Sequence, residues 1–560
     1  MAATAPPAVL AAYTPDVSAV GDSLVATALL GLVPLAVFFA LLTAARRSAL
    51  QSALGALAAA LLVAVLGYGM PVGLGLLSAS QGLVFGLFPV MWIVVTAIWF
   101  YELGVVSGRF EDLRRAFGAV GRGDLRVQAM LVAFCFGGLL EALAGFGAPV
   151  AITAAMLLAL GLPPVKAAVT VLVANTAPVA FGAMAIPVTT AGNLTGIPAE
   201  HIAAVIGRQS PLLALFVPLL LLVIVDGRRG LRQLWPVALV TGAAFALAQY
   251  WCSSHFAYEL TDVVAALAGF AAAVLTLRVW TPRTPEDRRT PDAAGDGPLT
   301  PRRVTLAVLP YVLVVAVFGL AKLEWGPVDV PRALGVLDVE LPWPGLHGNL
   351  LERGGEAADS AVYTLEVLGN PGTLLLVTGL LVTAVYARAA DAGRFPLGPR
   401  AALRAFTGTV VRMRTSIATV ATVLALGYVM NQSGQTVAIG VWLAGTGGLF
   451  ALLSPTLGWL GTAVTGSDTS ANALFATLQQ TAGKAAGIDP ALLVAANTSG
   501  GVVGKLVSPQ NLTIAATAVG QPGSEGLLLR RVAGYSLAML AVLCVLVLLQ
   551  SRPVLAWMLP

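Results

Sequence analysis

Residues 174–187 read ANTAPVAFGAMAIP, and residues 496–509 read ANTSGGVVGKLVSP. The two stretches share an Asn-Thr pair, a glycine and a proline, and each shared residue recurs 322 positions later (175 and 497, 182 and 504, 187 and 509). Both stretches lie in hydrophobic segments, which Gly, Pro and Asn are expected to interrupt. Paired, interrupted hydrophobic segments in two halves of a chain are typical of the binding site of a secondary transporter.

The composition of the 560-residue chain is that of a membrane protein. Hydrophobic residues make up 58% of it and charged residues 11%, and the mean hydropathy is +0.87. A soluble chain would carry about 25% charged residues. Many apolar runs approach or exceed the roughly 18 residues that mark a membrane span. The sequence therefore predicts an all-α, polytopic membrane protein.

The basic residues fall between the apolar runs and indicate the orientation of the chain. Lys and Arg mark cytoplasmic loops. Arg clusters occur at 46–47, 107–126, 228–232, 280–303 and 530–531, whereas the acidic stretch 324–371 is poor in basic residues and is expected outside. This arrangement places both termini outside. Clusters separated by apolar spans do not form a nucleic-acid-binding surface, so the expected partner is the lipid bilayer and not a nucleic acid.

The alternation of apolar runs and basic loops predicts about 12 crossings and two re-entrant hairpins. The first hairpin, residues 129–160, turns at 145–147, and its arms of about 14 residues are short for a full crossing. The second hairpin, residues 454–487, turns at 465–470. The predicted spans are 24–43, 50–68, 83–106, 204–225, 234–251, 261–279, 304–322, 372–388, 408–430 and 532–551, with interrupted segments at 164–190 and 490–518.

The two halves are predicted to form an inverted repeat. Ser107-Gly108 lies 68 residues before Asn175, and Ser433-Gly434 lies 64 residues before Asn497. In the charge-based orientation the first interrupted helix runs outward and the second inward, as in many alternating-access carriers. The predicted domains are scaffold spans at 1–82, repeat 1 at 83–226, scaffold spans at 227–404 with the cytoplasmic loop 280–303 and the external loop 324–371, repeat 2 at 405–551, and a tail at 552–560.

Backbone groups at the turns and interruptions are the first candidates for substrate binding. A turn or a break inside a membrane leaves N–H and C=O groups without helical partners. Pro178 removes a helical hydrogen bond, whereas Gly500 and Gly501 are expected to open the second helix. Free N–H groups at helix N-termini favour anions; the alternative is that these residues only kink or pack helices. The predicted substrate-binding residues are Gly145, Phe146, Gly147, Asn175, Thr176, Ser467, Asp468, Thr469, Ser470, Asn497, Thr498 and Ser499.

Three ionisable residues near the turns and interruptions are functional candidates, because a charge inside a membrane is costly. Asp468 could carry a coupling proton, bind a cation or cap the helix that follows it. Glu141 could titrate or pair with a buried donor. Lys505 could neutralise a substrate carboxylate, pair with Asp468 or Glu141, or extend to the membrane interface.

Enzyme chemistry finds no support in the sequence. Cys135, Cys252 and Cys544 are isolated, and neither a CxxC pair nor an HExxH motif is present. Residues 500–505 resemble a phosphate-binding loop, but Ser499 and Leu506 break its pattern. No nucleophile–base pair is apparent. We therefore expect a protein that is not an enzyme and that has neither a metal site nor a cofactor.

The residues around both hairpins and both interruptions resemble the signature of the bacterial L-lactate permease family. The matching runs are 134–141, 144–154, 174–184, 186–187, 465–470, 472–475, 495–501, 504–505 and 508–510. The resemblance covers nearly the whole chain and weakens at residues 280–370. It implies a multi-pass protein of the bacterial inner membrane that takes up L-lactate, together with D-lactate and glycolate, in symport with protons.

The family is similar in plan to a wider superfamily of anion symporters with two hairpins. Those carriers move a transport domain through a fixed, often dimeric scaffold, so the resemblance implies an elevator-like movement and a homodimer. It also implies that the hairpin tips and the Asn-Thr pairs contact a small 2-hydroxy monocarboxylate. Sodium-coupled relatives favour Ser before each Asn, where this chain has Ala174 and Ala496. This difference favours H+ over Na+ as the coupling ion, with a sodium-coupled carboxylate symporter as the alternative.

Overall fold

The computed structural model describes residues 12–120, 123–143, 145, 147–289, 299–325, 328–352, 354–389 and 397–560. Phe146, one of the predicted substrate-binding residues, lies outside these residues, as does part of the cytoplasmic loop 280–303. The structure is about 78% helical, which confirms the predicted all-α class.

Within the described residues, 12 helices are long and apolar enough to cross a membrane, as predicted. They are Leu24–Ala44, Ala49–Leu66, Val72–Val106, Leu125–Leu143, Ser210–His255, Tyr258–Val279, Pro301–Ala321, Pro371–Arg388, Pro399–Gln432, Gly447–Thr465, Pro490–Val507 and Glu525–Gln550. Ser210–His255 contains two predicted spans. Gly227, with φ +63°, interrupts it, and a Cβ on Gly242 would lie 2.4 Å from the carbonyl oxygen of Leu215. Because these positions lie on either side of Gly227, the two arms pack antiparallel.

The remaining elements are shorter or more polar. The helices are Arg109–Ala119, Ala148–Ala159, Pro164–Ala174, Val179–Thr195, Ala199–Ile206, Val330–Leu334, Gln435–Ala444, Asp468–Ala486 and Pro509–Ala518, with single turns at Glu286–Arg288, Gly335–Leu337, Asp359–Ala361 and Ala556–Met558. In the loop predicted to be external, Glu324–Trp325 pairs antiparallel with Val328–Asp329, and Val339–Pro342 pairs antiparallel with Val362–Leu365. These strands were not predicted, because runs of two to four residues are too short to show a period.

The first hairpin consists of Leu125–Leu143 and Ala148–Ala159. Its turn depends on two glycines, because Gly145 and Gly147 have φ values of +47° and +86° that other residues rarely adopt. A Cβ on Gly137 would lie 3.5 Å from Thr153, which shows that the arms return alongside each other. The first arm has 19 residues, more than the predicted 14 or so, and its most apolar stretch of 18 residues is completely buried.

The second hairpin consists of Phe450–Thr465 and Asp468–Ala486, and it turns at Gly466, where φ is +76°. The side chains of Ser454 and Gln479 are hydrogen-bonded across the hairpin at 2.8 Å. The turn lies within the predicted segment 465–470. The second arm is absent from the apolar spans because its buried face is polar, with Asp468, Asn472 and Gln479 all buried.

The first interrupted helix is bent by 63° between Pro164–Ala174 and Val179–Thr195, at the predicted Asn-Thr-Ala-Pro break. Pro178 cannot donate the hydrogen bond that would continue the helix. A second irregularity follows at Ala183–Ala185, where three consecutive residues have φ values of +46°, +59° and +55°. Positive φ values are costly for non-glycine residues, so the surrounding structure must hold this segment in place.

The second interrupted helix breaks at a different point from the one predicted. Pro490–Gly504 continues through Asn497 and both glycines, and the chain leaves the helix only at Lys505–Val507, before Pro509–Ala518. The glycines serve close packing instead. A Cβ on Gly500 would lie 1.9 Å from the carbonyl oxygen of Pro455. The expectation that Gly500 and Gly501 open the helix is therefore wrong, because Gly500 admits the first arm of the second hairpin and Gly501 admits the side chain of Asp468.

The two halves share one order of elements. In each half a long helix ends at a Ser-Gly pair, and the glycine (Gly108 with φ +72°, Gly434 with φ +86°) starts a shorter helix. A hairpin and an interrupted helix follow in both. Leu125–Leu143 and Pro490–Val507 are the most enclosed of the 12 apolar helices, with 100% and 89% of their most apolar 18 residues buried, whereas Gly447–Thr465 of the second hairpin is 39% buried. The inverted orientation of the two halves stays a prediction.

Candidate functional site

A small cavity lies where the tips of the two hairpins meet the interrupted helices. Its volume is about 40 Å³. The residues that line it are Glu141, Gly145, Val179, Gly182, Ala183, Pro187, Gly466, Ser467, Asp468, Thr469 and Lys505. The cavity thus collects residues from both halves of the chain, including every ionisable residue singled out from the sequence.

A buried ion pair joins the two halves at this cavity. The Nζ atom of Lys505 lies 2.5 Å from Oε1 of Glu141, although the two residues are 364 positions apart. The amide nitrogen of Asn175 donates to Oε2 of the same carboxylate at 2.9 Å. Of the alternatives that the sequence left open, Lys505 pairs with Glu141, and Glu141 takes a buried donor from the first Asn-Thr pair.

The local backbone explains why this pair can form. Lys505 begins the turn that ends Pro490–Gly504, so it projects at the second break. Gly182 lies against Glu141, since a Cβ there would be only 3.1 Å from Oε1. Both interrupted helices therefore contribute irregular backbone next to the ion pair, as expected where a membrane protein lines a cavity.

Asp468 is the second acidic group of the cavity, and it has few partners. It is 4% exposed, and its Oδ1 atom accepts one long hydrogen bond, from Thr462 at 3.4 Å. Its Oδ2 atom is buried and receives no hydrogen bond from the described residues. Ser467 caps the helix by accepting from the backbone nitrogen of Ser470 at 3.3 Å. The capping alternative for Asp468 is therefore wrong, because its neighbour performs that role.

The second Asn-Thr pair faces the interior of the second hairpin and not the cavity. Asn497 and Thr498 donate to Oδ1 of Asn472, at 2.9 Å and 3.1 Å. Asn472 in turn donates to the carbonyl oxygen of Pro187 at 3.2 Å. Ser499 donates to Gln209 at 2.6 Å. These bonds tie the second interrupted helix to the second hairpin and the second hairpin to the first interrupted helix.

The predicted binding residues therefore divide into two groups. Gly145, Ser467, Asp468 and Thr469 line the cavity, and Asn175 reaches it through Glu141. The structure does not bring the other described candidates to the cavity wall; they are Gly147, Thr176, Ser470, Asn497, Thr498 and Ser499. Sequence reasoning missed Gly182 and Ala183 as lining residues, although Gly182 is one of the positions shared by the two opening stretches.

A vestibule of about 700 Å³ lies at the far ends of the helices that flank the cavity. It is lined by Asn193, Leu194, Thr195, Gly196, Glu340, Glu352, Asp359, Ser360, Val362, Thr364, Tyr428, Asn431, Gln432, Thr477, Gln480 and Lys484. Between vestibule and cavity, Val179–Thr195 and Asp468–Ala486 are joined by side chains that donate to backbone carbonyls: Asn472 to Pro187, Thr477 to Leu194 and Gln480 to Thr195. This seam joins the two helices between the two spaces.

Comparisons with known proteins agree on one family. The family model described as L-lactate permease matches residues 27–554. The chain is 40% identical to the L-lactate permease of Bacillus subtilis (strain 168), over 98% of this chain and 99% of that protein. It is 37% identical to the L-lactate permease of Escherichia coli (strain K12), over 95% and 97%. It is 35% identical to the glycolate permease GlcA of the same organism, over 94% and 96%.

Proposed function

The chain belongs to the L-lactate permease family, and from this membership we propose that it takes up L-lactate in symport with protons. It is a multi-pass protein of the bacterial plasma membrane, and its family consists of permeases, which are transporters and not enzymes. The names of its relatives support lactate and glycolate as substrates. D-lactate carries the same 2-hydroxy carboxylate and is proposed as a further substrate.

Lys505 is the group proposed to attract the substrate carboxylate. Among the described residues that line the cavity it is the one cation. The helix Asp468–Ala486 also begins at the cavity, and the positive end of its dipole favours an anion there. A volume of about 40 Å³ exceeds the roughly 10–15 Å³ needed by one water and suits an occupant of a few heavy atoms. Lactate and glycolate are of this size.

Asp468 is proposed as the proton-binding residue that accompanies the substrate, and Glu141 is the second choice. The observation that carries this proposal is the contrast between the two carboxyl groups. Glu141 already holds a cation and an amide donor, whereas Oδ2 of Asp468 has no partner in the described structure. A proton on Asp468 offsets the charge of the entering anion. The net charge of the site then stays constant through the cycle, which lowers the cost of carrying an anion through a low-dielectric layer.

We also propose that the hairpins and interrupted helices move together relative to the remaining spans. Their mutual contacts support this. Asn472 bonds the second hairpin to both interrupted helices, and the Lys505–Glu141 pair joins the second interrupted helix to the first hairpin, so these elements form one connected body. The seam between Val179–Thr195 and Asp468–Ala486 would move with that body. The homodimer implied by the wider superfamily stays a prediction.

Transport by the purified chain in proteoliposomes tests the proposal. Counterflow of labelled L-lactate, competed by D-lactate and glycolate, is expected to be saturable, and an inward pH gradient is expected to drive accumulation. Replacing sodium by choline at fixed pH is expected to leave uptake unchanged. Absence of pH-driven uptake of any 2-hydroxy acid would overturn proton symport, and loss of uptake in choline would favour the sodium-coupled alternative.

A further inference from the structure

A third carboxyl group is buried in the core away from the cavity. Asp262 lies in the first turn of the helix Thr261–Val279 and is 0% exposed. Its Oδ1 atom accepts one hydrogen bond, from Nε2 of Gln249 at 3.2 Å. Its Oδ2 atom is buried and has no partner among the described residues. Burying a carboxylate without a cation is costly, so this enclosed position favours the neutral, protonated form.

Gln249 connects Asp262 to the first break. The same Nε2 atom donates to the carbonyl oxygen of Ala177 at 3.1 Å. That carbonyl lies between Asn175 and Pro178, where the helix is interrupted and a carbonyl oxygen needs a partner. On the other side of the break, Asn175 holds Glu141, which pairs with Lys505. A series of polar contacts therefore runs from Asp262 through the break to the ion pair of the cavity.

The titratable groups near Asp262 come from two neighbouring elements. Glu141 of the first hairpin and Cys252 of the preceding span interact with it, and Tyr258 and Glu259 form the turn before its own helix. Glu259 is 5% exposed and lies 3.6 Å from Nζ of Lys322, which is itself 37% exposed at the outer end of Pro301–Ala321. Lys322 pairs with Glu259 and Glu200 and not with Asp262.

We propose that Asp262 is a second proton-binding site of the transport cycle, separate from the substrate cavity. The inference rests on the proposed function and deepens it. In the loading step a hydronium ion gives one proton to the carboxylate of Asp262, so one O–H bond of hydronium breaks and one O–H bond of the carboxyl group forms; on the inner side the carboxyl group returns the proton to water. The proton on Asp468 balances the substrate anion, whereas the proton on Asp262 has no anion beside it. Each cycle therefore carries two protons and one net positive charge inward.

The stoichiometry of transport tests this inference. Proteoliposomes of the full chain are held at zero membrane potential with potassium and valinomycin, and labelled L-lactate is followed to its steady state. For each unit of inward pH gradient, one proton supports about tenfold accumulation and two protons about a hundredfold. The wild type is expected to show the accumulation of two-proton symport and to carry an inward positive current. Asp262→Asn, which imitates the protonated carboxyl group, is expected to show the accumulation of one-proton symport and no current.

Two controls distinguish proton binding from a structural role. Asp262→Asn is expected to keep lactate counterflow, because exchange needs only the loaded carrier, and Thr261→Val, which alters the neighbouring buried side chain, is expected to behave as wild type throughout. Equal stoichiometry in Asp262→Asn and wild type would overturn the inference alone, as would loss of counterflow in the variant. A wild type without pH-driven uptake would overturn the proposed function and this inference with it.

Discussion

Asn175 and Asn497 occupy corresponding positions in the two halves, yet they reach different partners. Asn175 ends a helix and donates to Glu141 at the cavity, whereas Asn497 lies within a continuous helix and donates to Asn472 in the second hairpin. The offset of 322 residues that relates them also relates Lys505 to Ala183, and both of these lie in irregular backbone on the cavity wall. The repeat thus preserves an irregular backbone at the cavity wall but not at the asparagines, and it lets side chains in the two halves take different roles.

The difference shows how one site can hold opposite charges. The first half supplies Glu141 and its amide donor, and the second half supplies Lys505 and the incompletely bonded Asp468. Glycines of the two halves also take different roles. Gly182 leaves room for a functional side chain, whereas Gly500 leaves room for a helix. Substitutions at corresponding positions can therefore separate function from packing.

Removing the cation of the second half is expected to have the largest effect. Lys505→Ala leaves Glu141 buried without its partner, and breaking a buried ion pair costs about 3–5 kcal/mol. We expect a large loss of thermal stability in detergent and no lactate counterflow. The double variant Lys505→Ala/Glu141→Ala is expected to recover most of the stability and none of the transport. A double variant as unstable as the single one would show that the pair does not couple the halves.

Replacing Gly500, in the second interrupted helix, by alanine is expected to have the next largest effect. A Cβ on Gly500 would lie 1.9 Å from the carbonyl oxygen of Pro455, so Gly500→Ala forces the helices apart at a cost of about 1–3 kcal/mol. Gly182→Ala meets only the side chain of Glu141, at 3.1 Å, and is expected to impair uptake more than stability. Thermal unfolding and counterflow of both variants check this, with Gly526→Ala, which has open space, as the control. Equal destabilisation by both substitutions would contradict the division of roles.

Asp468→Asn and Glu141→Gln compare the carboxyl groups of the two halves. Because Asp468 accepts one weak hydrogen bond and the cation of the cavity, Lys505, pairs with Glu141 instead, Asp468→Asn is expected to keep thermal stability and counterflow. Accumulation driven by a pH gradient of one unit is expected to fall at least about tenfold, which equals about 1.4 kcal/mol. Glu141→Gln is expected to lower stability instead, because it leaves Lys505 unpaired. Unchanged accumulation in Asp468→Asn would indicate that Glu141, and not Asp468, binds the coupling proton.

The spans and the hairpin turns could be predicted from the sequence, because the length of an apolar run and the position of a glycine in a turn are local properties. The partners of buried polar groups were not predictable. Lys505 had several open alternatives, since nothing local brings it to Glu141, 364 residues away. Asp262 was missed because a carboxyl group in the first turn of a helix ordinarily stabilises the helix dipole. The continuous helix at Asn497 was missed because glycine permits both a break and close packing.

The two asparagines themselves are expected to give the smallest and most discriminating effects. Each makes side-chain hydrogen bonds in a buried network, so Asn175→Ala and Asn497→Ala should each cost about 1 kcal/mol of stability. Their effects on transport should differ. Asn175→Ala weakens the hold on Glu141 and should lower the maximal rate of counterflow, whereas Asn497→Ala leaves Thr498 bonded to Asn472 and should keep that rate. Counterflow kinetics at matched protein levels check this, and equal loss in both variants would mean that the second Asn-Thr pair also serves the cavity.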